Sequence, residues 1–359
     1  MLTDPPRSDE IEVSIFSRGY GESILVHLKN GRWIIIDSLE TEHKAPVALQ
    51  YLRAMELEPE NCVDALLLTH WHDDHVAGAT ALVSCLPKSI IALSSFLQGD
   101  EFKTFLRTRG FPTSGSYGNG LKELIGVCTL LKDRDRPRKW CSADKLISAD
   151  RINGSYKFEA LSPSEHDFED FVESIAALGG EGTRIPAPRR NDASVASVVE
   201  FPDEMLLFGA DLEIGSSGKG WVAVHELVWK GRRKASFFKI PHHGSKNAHY
   251  PPIWADMLVE NVTAALTPWN RSAKLPTRED VARILEGTES AYAAAKPLNS
   301  AALKRQNAVE RQTRAAGIKI ATPASDLGHL RFRKSADTWA VSYANDISSH
   351  LSDIFKHSA

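Results

Sequence analysis

Apolar and polar positions along the first quarter of the chain predict a series of strands. They alternate over residues 11–15, as in a strand with one buried face. Two further strands, over 23–28 and 33–36, flank Asn30-Gly31, a dipeptide typical of hairpin turns. Residues 65–68 are all apolar, which indicates a short strand buried on both faces. A sheet is therefore expected here, with a polar loop after its last strand.

The rest of the chain alternates between helical and extended patterns. Helices are predicted over 44–55, 76–86 and 167–178, near 278–285 and 301–315, and over much of 99–132. Strands are predicted over 156–161, 194–201, 205–208, 236–240 and 264–266, with a closing hairpin over 328–343. This order indicates an α/β fold with two sheets and the helices outside. We expect one domain over 1–359, with a mostly helical insertion near 99–150 and a C-terminal extension near 287–359.

Composition narrows the class of protein. With 42% hydrophobic and 25% charged residues the chain can form an ordinary core, and a formal net charge of -3 excludes a uniformly basic nucleic-acid coat. The four cysteines have no CxxC spacing, which argues against a zinc finger and suits a reducing compartment. The N-terminal residues do not resemble a signal peptide, and no apolar stretch is long enough for a membrane span. We expect a cytoplasmic protein that does not bind membranes.

Four potential metal ligands lie within six residues, directly after the apolar strand: His70, His72, Asp74 and His75. Imidazole and carboxylate groups suit zinc, manganese or iron. Alternating loop residues point the same way, so His70 and His72 can share one ion. Asp74 and His75 can hold a second ion at the ~3.5–4 Å spacing of two-metal sites. A single loop histidine is usually an ordinary polar residue, but this spacing of three with an aspartate indicates a metal centre.

The run Thr-His-Trp-His-Asp-Asp-His at 69–75 resembles the signature of the metallo-β-lactamase fold superfamily. More narrowly, the chain resembles the soluble hydrolase domain of ComEC/Rec2-type DNA-uptake proteins. Four further segments support this in the expected order, at 17–24, at 33–37, at 208–211 (Phe-Gly-Ala-Asp) and at 239–245 (Lys-Ile-Pro-His-His-Gly-Ser). The resemblance, which covers residues 11–270, implies a four-layer αββα metallo-β-lactamase-like sandwich.

The resemblance also implies a ligand set for two divalent ions, Zn²⁺ or Mn²⁺. His70 and His72 would hold the first ion. Asp74 and His75 would hold the second, and Asp211 would bridge the two.

The last motif offers two adjacent histidines for the second ion. Either His242 or His243 would complete that site, and we favour His242, which leaves His243 to face substrate or donate a proton. Asp74 is a candidate to accept a proton from the attacking water. Asp37 would orient a ligand histidine by hydrogen bonding and fix its tautomer.

One segment departs from the pattern of many members of the superfamily. Residues 189–194 contain no histidine where another ligand of the first ion is often found. The Asn191-x-x-Ser194 pattern here suits the ComEC-like branch, and both residues are expected just behind the ligands. Asn191, Asp192 or water would fill the gap, and a first site short of a ligand would bind its ion more weakly and favour manganese over zinc.

The expected chemistry is hydrolysis by a metal-bridged hydroxide. The resemblance favours a phosphodiesterase or nuclease acting on DNA or RNA. The alternatives are a hydrolase of a lactone, thioester or cyclic nucleotide, and an effector subunit activated by a partner, as in anti-phage defence. A binding protein without activity is disfavoured by the intact ligand set. The candidate partners are nucleic acid and a protein encoded nearby.

Several residues are candidates for contacting a nucleic acid. Basic clusters at 134–139, 188–190 and 230–234 could guide a phosphate backbone, although such runs are more often solvated surfaces. Trp71 and Trp269 could stack a base. Lys246, directly after the last histidine motif, is the candidate for a direct substrate contact.

Overall fold

Two mixed β-sheets dominate the computed structural model, which describes residues 1–98, 120–176, 190–270, 274–295, 326–334 and 338–355. The first eight strands in these ranges are β1 (Ile11–Arg18), β2 (Gly21–Leu28), β3 (Trp33–Ile36), β4 (Val63–Leu68), β5 (Ile90–Ser94), β6 (Arg138–Cys141), β7 (Lys145–Ala149) and β8 (Lys157–Ala160). The others are β9 (Ser197–Glu200), β10 (Met205–Phe208), β11 (Ala235–Lys239), β12 (Leu258–Leu266), β13 (Ala291–Ala293), β14 (Gly328–Lys334), β15 (Trp339–Tyr343) and β16 (Ser349–His350). The first sheet has the order β15-β14-β1-β2-β3-β4-β5-β6, and the second has the order β16-β13-β12-β11-β10-β9-β8-β7.

Helices cover the outer faces of both sheets. In the described ranges they are α1 (Val47–Ala54), α2 (Pro59–Cys62), α3 (Asp73–Val76), α4 (Ala79–Ser84), α5 (Gly120–Asp133), α6 (Glu165–Ala176), α7 (Gly220–Ala223) and α8 (Arg278–Gly287). The apolar faces of α1, α4 and α5 pack on the first sheet, and residues of α7 and α8 pack on the second. A capping box between Thr277 and Asp280 fixes the start of α8.

Side chains of alternate strand residues enter different cores. On β4, Leu66 and Leu68 face the helices outside the first sheet, whereas Ala65 and Leu67 face the second sheet. Residues 65–68 of this strand are therefore all apolar, because both faces of the strand are buried there. The two-sheet α/β fold predicted from sequence is confirmed, with the layer order helix, sheet, sheet, helix.

The parallel strands place several chain segments at one edge of the molecule. Strand β3 pairs in parallel with β4, and β10, β11 and β12 pair in parallel with one another. Their carboxyl ends lead into Asp37, His70, Asp211, His243 and Thr267. Because parallel strands end at the same edge, segments distant in sequence bring their polar side chains together there.

Some elements differ from the expected ones. The single helix predicted over 76–86 is two short helices, because Gly78 has a φ of 75° and interrupts the helical backbone. Within the expected insertion near 99–150, α5 is helical, but β6 and β7 are strands of the two sheets. The helix predicted near 301–315 and residues 99–119 lie outside the described residues. Among the residues searched, none of the helices is long and apolar enough to cross a membrane.

Candidate metal centre

The loop after β4 presents its polar side chains in two directions. His70 and His72 lie in extended backbone, and the chain then turns into α3, which carries Asp74 and His75. The backbone N–H of Ser38 donates to the carbonyl oxygen of His75 at 2.8 Å and ties this turn to the end of β3. The change from extended to helical backbone separates the four side chains into two pairs.

One group of candidate ligands joins this loop to the second sheet. It consists of Asp74, His75, Asp211 and His243, all buried, with ligand atoms within 4.8 Å of one another. Asp74 Oδ2 lies 3.3 Å from both His75 Nε2 and His243 Nε2, and His75 Nε2 lies 3.4 Å from Asp211 Oδ1. Asp74 Oδ2 and His75 Nε2 are buried without a hydrogen-bond partner. Because buried polar atoms are normally paired, these two atoms fit a bound cation between them.

A second group shares Asp211 with the first. His70, His72 and Asp211 have ligand atoms within 4.8 Å of one another. His70 Nε2 is 2.9 Å from His72 Nδ1 and 3.7 Å from Asp211 Oδ2. In the described residues this group has three His, Asp or Glu members against four in the other.

The adjacent histidines of the last motif have different surroundings, and the expected choice is reversed. His243, rather than the favoured His242, lies in the four-residue group. Its Nδ1 donates to the Thr267 carbonyl oxygen at 2.9 Å, which fixes the tautomer and leaves Nε2 free toward Asp74. His242 is partly exposed, with Nδ1 3.0 Å from Asn247 Oδ1. The two side chains have different surroundings because His242 and His243 lie in a turn of left-handed backbone, and the sequence alone does not specify that turn.

Four of the ten non-glycine residues with positive φ in the described part of the chain lie at these groups. Asp37, Ala210, His242 and His243 have φ values of 61°, 45°, 45° and 55°. Such conformations cost a non-glycine residue of the order of 1–3 kcal/mol each and persist only where the surroundings enforce them. The backbone N–H of His242 donates to the Ala210 carbonyl oxygen at 2.9 Å, so two of the strained turns support each other.

Asp37 lies directly behind His75. Its Oδ2 accepts from His75 Nδ1 at 2.6 Å, and its Oδ1 accepts from the backbone N–H of Thr69 at 2.8 Å. Thr69 Oγ1 in turn lies 3.0 Å from His70 Nδ1. The expected orienting contact of Asp37 is therefore present in the geometry, and it reaches a histidine of each group.

A buried ion pair beside His75 was not anticipated. Lys239 Nζ donates to Glu22 Oε2 at 2.8 Å, and both side chains are 1% exposed. Thr267 Oγ1 donates to the same oxygen. The sequence carries little signal for this pair, because Glu22 and Lys239 lie 217 residues apart and each is an ordinary charged residue by type.

The charges of the site perturb its titration. Burial lowers the pKa of His75, but the carboxylates of Asp74, Asp211 and Asp37 outweigh it and hold the pKa well above its usual value. For Asp211, burial is outweighed by His75 and His243, and the pKa lies well below the usual range. Burial and the neighbouring His75 and His72 lower the pKa of His70 far below normal. The site thus favours the charged form of the Asp74 and Asp211 carboxylates, whereas burial raises the pKa of Asp37.

The charge balance of the buried residues fits two divalent cations. Four carboxylates surround the site, and one ammonium opposes them: Glu22, Asp37, Asp74 and Asp211, with Lys239. With neutral histidines and ionised carboxylates the balance is three negative charges. One divalent cation would leave the site negative, whereas two bring it to one positive charge, which suits an anionic substrate oxygen.

The remaining candidate residues lie around the two groups. Asn191 Nδ2 donates to Glu213 Oε1 at 2.8 Å and lies 3.3 Å from His242 Nε2. Asn191 Oδ1 and Ser194 Oγ are buried and lack a hydrogen-bond partner in the described part of the chain. Lys246 is exposed, three residues after His243. Two buried oxygens without a hydrogen-bond partner among the described residues, Asn191 Oδ1 and Ser194 Oγ, thus lie in the segment that lacks a histidine.

The residues expected to guide nucleic acid are largely engaged within the protein. Arg136, Lys139, Arg233 and Lys234 donate to backbone carbonyl oxygens. Arg232 pairs with the carboxylates of neighbouring elements. The side chains of 188–190 lie outside the described residues. These clusters therefore stabilise loops, and they offer less free charge than their sequences indicate.

The two tryptophans also differ from each other. Trp71 is buried in the core outside the first sheet, with its ring 6.1 Å from that of Phe171, so it is a packing residue. Trp269 is half-buried, and its ring lies 5.3 Å from His243 and 5.3 Å from Tyr20. Trp269 is therefore the tryptophan that remains a candidate for contacting substrate.

Comparison with known proteins agrees with the fold and the first motif. Residues 17–94 match the model of the Metallo-beta-lactamase superfamily. This segment includes Asp37 and the ligands from His70 to His75. Residues 17–94 are thus similar to part of the metallo-β-lactamase superfamily, and this segment supplies ligands to both groups of candidate metal ligands described above.

Solved structures with related folds are distant in sequence. The metallo-β-lactamase fold protein YhfI from Bacillus subtilis is 11% identical, with 89% of this chain and 99% of that chain covered and a TM-score of 0.40. The metallo hydrolase Igni18 from Ignicoccus hospitalis is 11% identical, with 89% and 98% covered and a TM-score of 0.35. A mutant of CmlA beta-hydroxylase is 13% identical with a TM-score of 0.32; 66% of this chain matches, spanning 36% of that chain. A search of curated proteins gave no match.

Proposed function

We propose that the protein is a hydrolase that uses two divalent cations, Zn²⁺ or Mn²⁺. The observation that carries the proposal is the shared carboxylate: Asp211 belongs both to the group with His70 and His72 and to the group with Asp74, His75 and His243. A carboxylate with one oxygen toward each group is the usual bridge of a two-metal centre.

The donor set favours borderline metals. Each group combines imidazole nitrogens with carboxylate oxygens, and neither contains a thiolate. The group with His70 and His72 has fewer donors, so we expect it to bind its cation more weakly. Asn191 Oδ1 is the proposed additional donor on that side because it is buried and unpartnered.

Different residues around the proposed cation sites are assigned to proton acceptance and proton donation. When bound, two such cations supply a hydrolytic nucleophile at neutral pH and stabilise charge on the substrate. Asp74 is the proposed acceptor of the proton from the attacking water. His242, on the exposed side and 3.7 Å from Glu213 Oε1 through its Nδ1, is the proposed proton donor to the leaving group. His243, expected from the sequence to face substrate or donate a proton, is instead the proposed ligand.

Phosphodiesters are the proposed substrate class, with DNA or RNA first. The resemblance to ComEC/Rec2-type hydrolase domains and the positive balance of a two-cation site support this. Lys246 and the aromatic pair Tyr20–Trp269 are the proposed contacts for a phosphate and a base. The internal engagement of the basic clusters favours a short or single-stranded segment over a long duplex.

Turnover of a substrate panel tests this proposal. Protein loaded with Mn²⁺ or Zn²⁺ is offered single-stranded DNA, duplex DNA, RNA, bis-p-nitrophenyl phosphate and a lactone. We expect cleavage of the phosphodiesters, lost in Asp211→Ala and His243→Ala and retained in Lys88→Ala, an exposed residue outside the site. Turnover of the lactone alone would reject the phosphodiesterase. Bound metal without turnover of any substrate would favour the partner-activated alternative.

A further inference from the structure

We propose that the buried Glu22–Lys239 ion pair positions the two halves of the metal centre relative to each other. The inference rests on the proposed two-metal site. Glu22 lies on β2 of the first sheet and Lys239 at the end of β11 of the second. Each sheet supplies part of the ligand set, with His70 to His75 after β4 and Asp211 and His243 after β10 and β11. The pair therefore crosses the same interface as the metal centre.

One side of the pair reaches His243. Glu22 Oε2 accepts from Lys239 Nζ at 2.8 Å and also from Thr267 Oγ1. The carbonyl oxygen of Thr267 accepts from His243 Nδ1 at 2.9 Å. The residue that holds His243 in its tautomer and orientation is thus itself held by the Glu22 carboxylate.

The other side of the pair reaches His75. Glu22 Oε1 lies 3.8 Å from His75 Nδ1, which donates to Asp37 at 2.6 Å. Glu22 and Asp37 therefore present two carboxylates to the face of the imidazole that points away from the cations. The Glu22 carboxylate thus contacts Thr267, which holds His243, and also lies beside His75.

The fold alone does not require these charges. Two ions removed from water lose hydration, and apolar residues of similar volume often serve a core equally well or better. Here Lys239 Nζ donates to Glu22 Oε2 at 2.8 Å and to the more distant carbonyl oxygen of Ile240 at 3.4 Å. A positioning role explains why the pair occurs beside His75 and His243 rather than in an apolar core.

The test compares two cross-sheet ion pairs. The double variant Glu22→Gln/Lys239→Met removes the charges together, so that no unpaired ion stays buried. The matched control is Glu204→Gln/Lys334→Met, because Lys334 on β14 and Glu204 before β10 also join the two sheets. In the strand register, Lys334 lies opposite Ile11 of β1 and Glu22 lies opposite Ser17 of β1. The two ion pairs are therefore separated by six residues along β1, which is about 20 Å.

Binding of Co²⁺ alone and thermal unfolding are the readouts. We expect the thermal unfolding midpoints of both double variants to lie within a few degrees of the wild-type midpoint. Only Glu22→Gln/Lys239→Met should bind Co²⁺ about 10–100-fold more weakly, with an altered visible absorption spectrum. Thr267→Val, which keeps the carbonyl but removes the hydroxyl, should weaken Co²⁺ binding to a smaller extent.

The outcomes separate the inference from the proposed function. Wild-type affinity and spectrum in the Glu22→Gln/Lys239→Met variant would show a structural role and overturn the inference alone. Equal losses in the control pair would do the same. If the test variant does not fold, unchanged Co²⁺ binding by Thr267→Val overturns the inference. Failure of the wild-type protein to bind Co²⁺ would instead overturn the two-metal centre itself, and the inference with it.

Discussion

At the residue scale, two neighbouring histidines separate metal binding from proton transfer. His243 faces Asp74 and Asp211 from a buried position, whereas His242 is partly exposed and contacts Asn247. The division depends on three successive left-handed residues, His242, His243 and Gly244. Because side-chain direction follows from that turn, the identical residue types carry different tasks.

Substitution of the two histidines gives the first prediction. His243→Ala should lower the bound metal of the purified protein by about one equivalent, because a ligand is removed. His242→Ala should retain the metal and lower kcat by roughly 10²–10⁴-fold, since a proton donor is removed. Metal analysis and kinetics on the same preparations measure both effects. The reverse pattern would restore His242 as the ligand.

A buried histidine away from the site gives a pH prediction. Burial lowers the pKa of His329 to about 3, and its Nδ1 accepts from the Leu2 N–H while its Nε2 faces Ser14 Oγ. The unfolded state binds a proton near pH 6.5, so the contribution of His329 is fully present above that pH and is lost as pH falls toward 3.

The size of the His329 contribution to stability can be measured by denaturant unfolding. Between pH 7 and pH 5 this single group should remove about 2 kcal/mol from the free energy of unfolding. In the His329→Gln variant residue 329 does not titrate, so the free energy of unfolding should fall by about 2 kcal/mol less than in wild type between pH 7 and pH 5. Parallel pH profiles of the two proteins would contradict the assignment.

At the element scale, helix α5 is joined to the metal-binding loop. The Asp73 carboxylate accepts from the backbone N–H of Gly120 at 2.6 Å, at the first described residue of the helix. A Cβ on Gly120 would lie 2.3 Å from the Trp71 carbonyl oxygen, so the backbones are in direct contact. The residue between the ligands His72 and Asp74 therefore supports a neighbouring helix.

The cap can be tested by substitution. Asp73→Ala should lower the free energy of unfolding by about 1 kcal/mol, because an acceptor at a helix N-terminus is lost. Asp133→Ala, at the exposed C-terminal end of the same helix, should leave stability unchanged or raise it by a few tenths of a kcal/mol. Equal destabilisation by both variants would argue against a capping role.

The predictable part of the fold and site follows from local patterns. Strand β3 has the predicted bounds because its apolar run ends at Asp37, and the two sheets follow from the order of strands and helices. The spacing of His70, His72, Asp74 and His75 suffices to indicate a metal centre. Local order does not define the helix break at Gly78, the turn that orients His243 or the Glu22–Lys239 contact. Those features depend on the sign of a backbone φ angle or on contacts between residues distant in the sequence.

At the scale of the whole molecule, the site is a cluster of carboxylates and histidines assembled from both sheets. The carboxylates raise the pKa of His75 well above normal, and, with burial opposing, they also raise the pKa of His243. In the metal-free protein these imidazoles therefore carry protons near neutral pH. A cation needs the neutral imidazole, so metal binding must displace them.

Proton release on metal binding follows. Near pH 7, Zn²⁺ binding should release at least one proton per chain, and the affinity should rise with pH. Calorimetric titrations in two buffers of different ionisation enthalpy measure the number of protons. A binding enthalpy that is independent of the buffer would show that the histidines are already neutral.

The central claim is that Asp211 joins two cation sites at the interface of the sheets. Anomalous diffraction from crystals of the Zn²⁺-loaded protein tests it directly. We predict two peaks about 3.5–4 Å apart on either side of the Asp211 carboxylate, one beside His70 and His72 and one beside His75 and His243. A single peak, or peaks away from Asp211, would contradict the account.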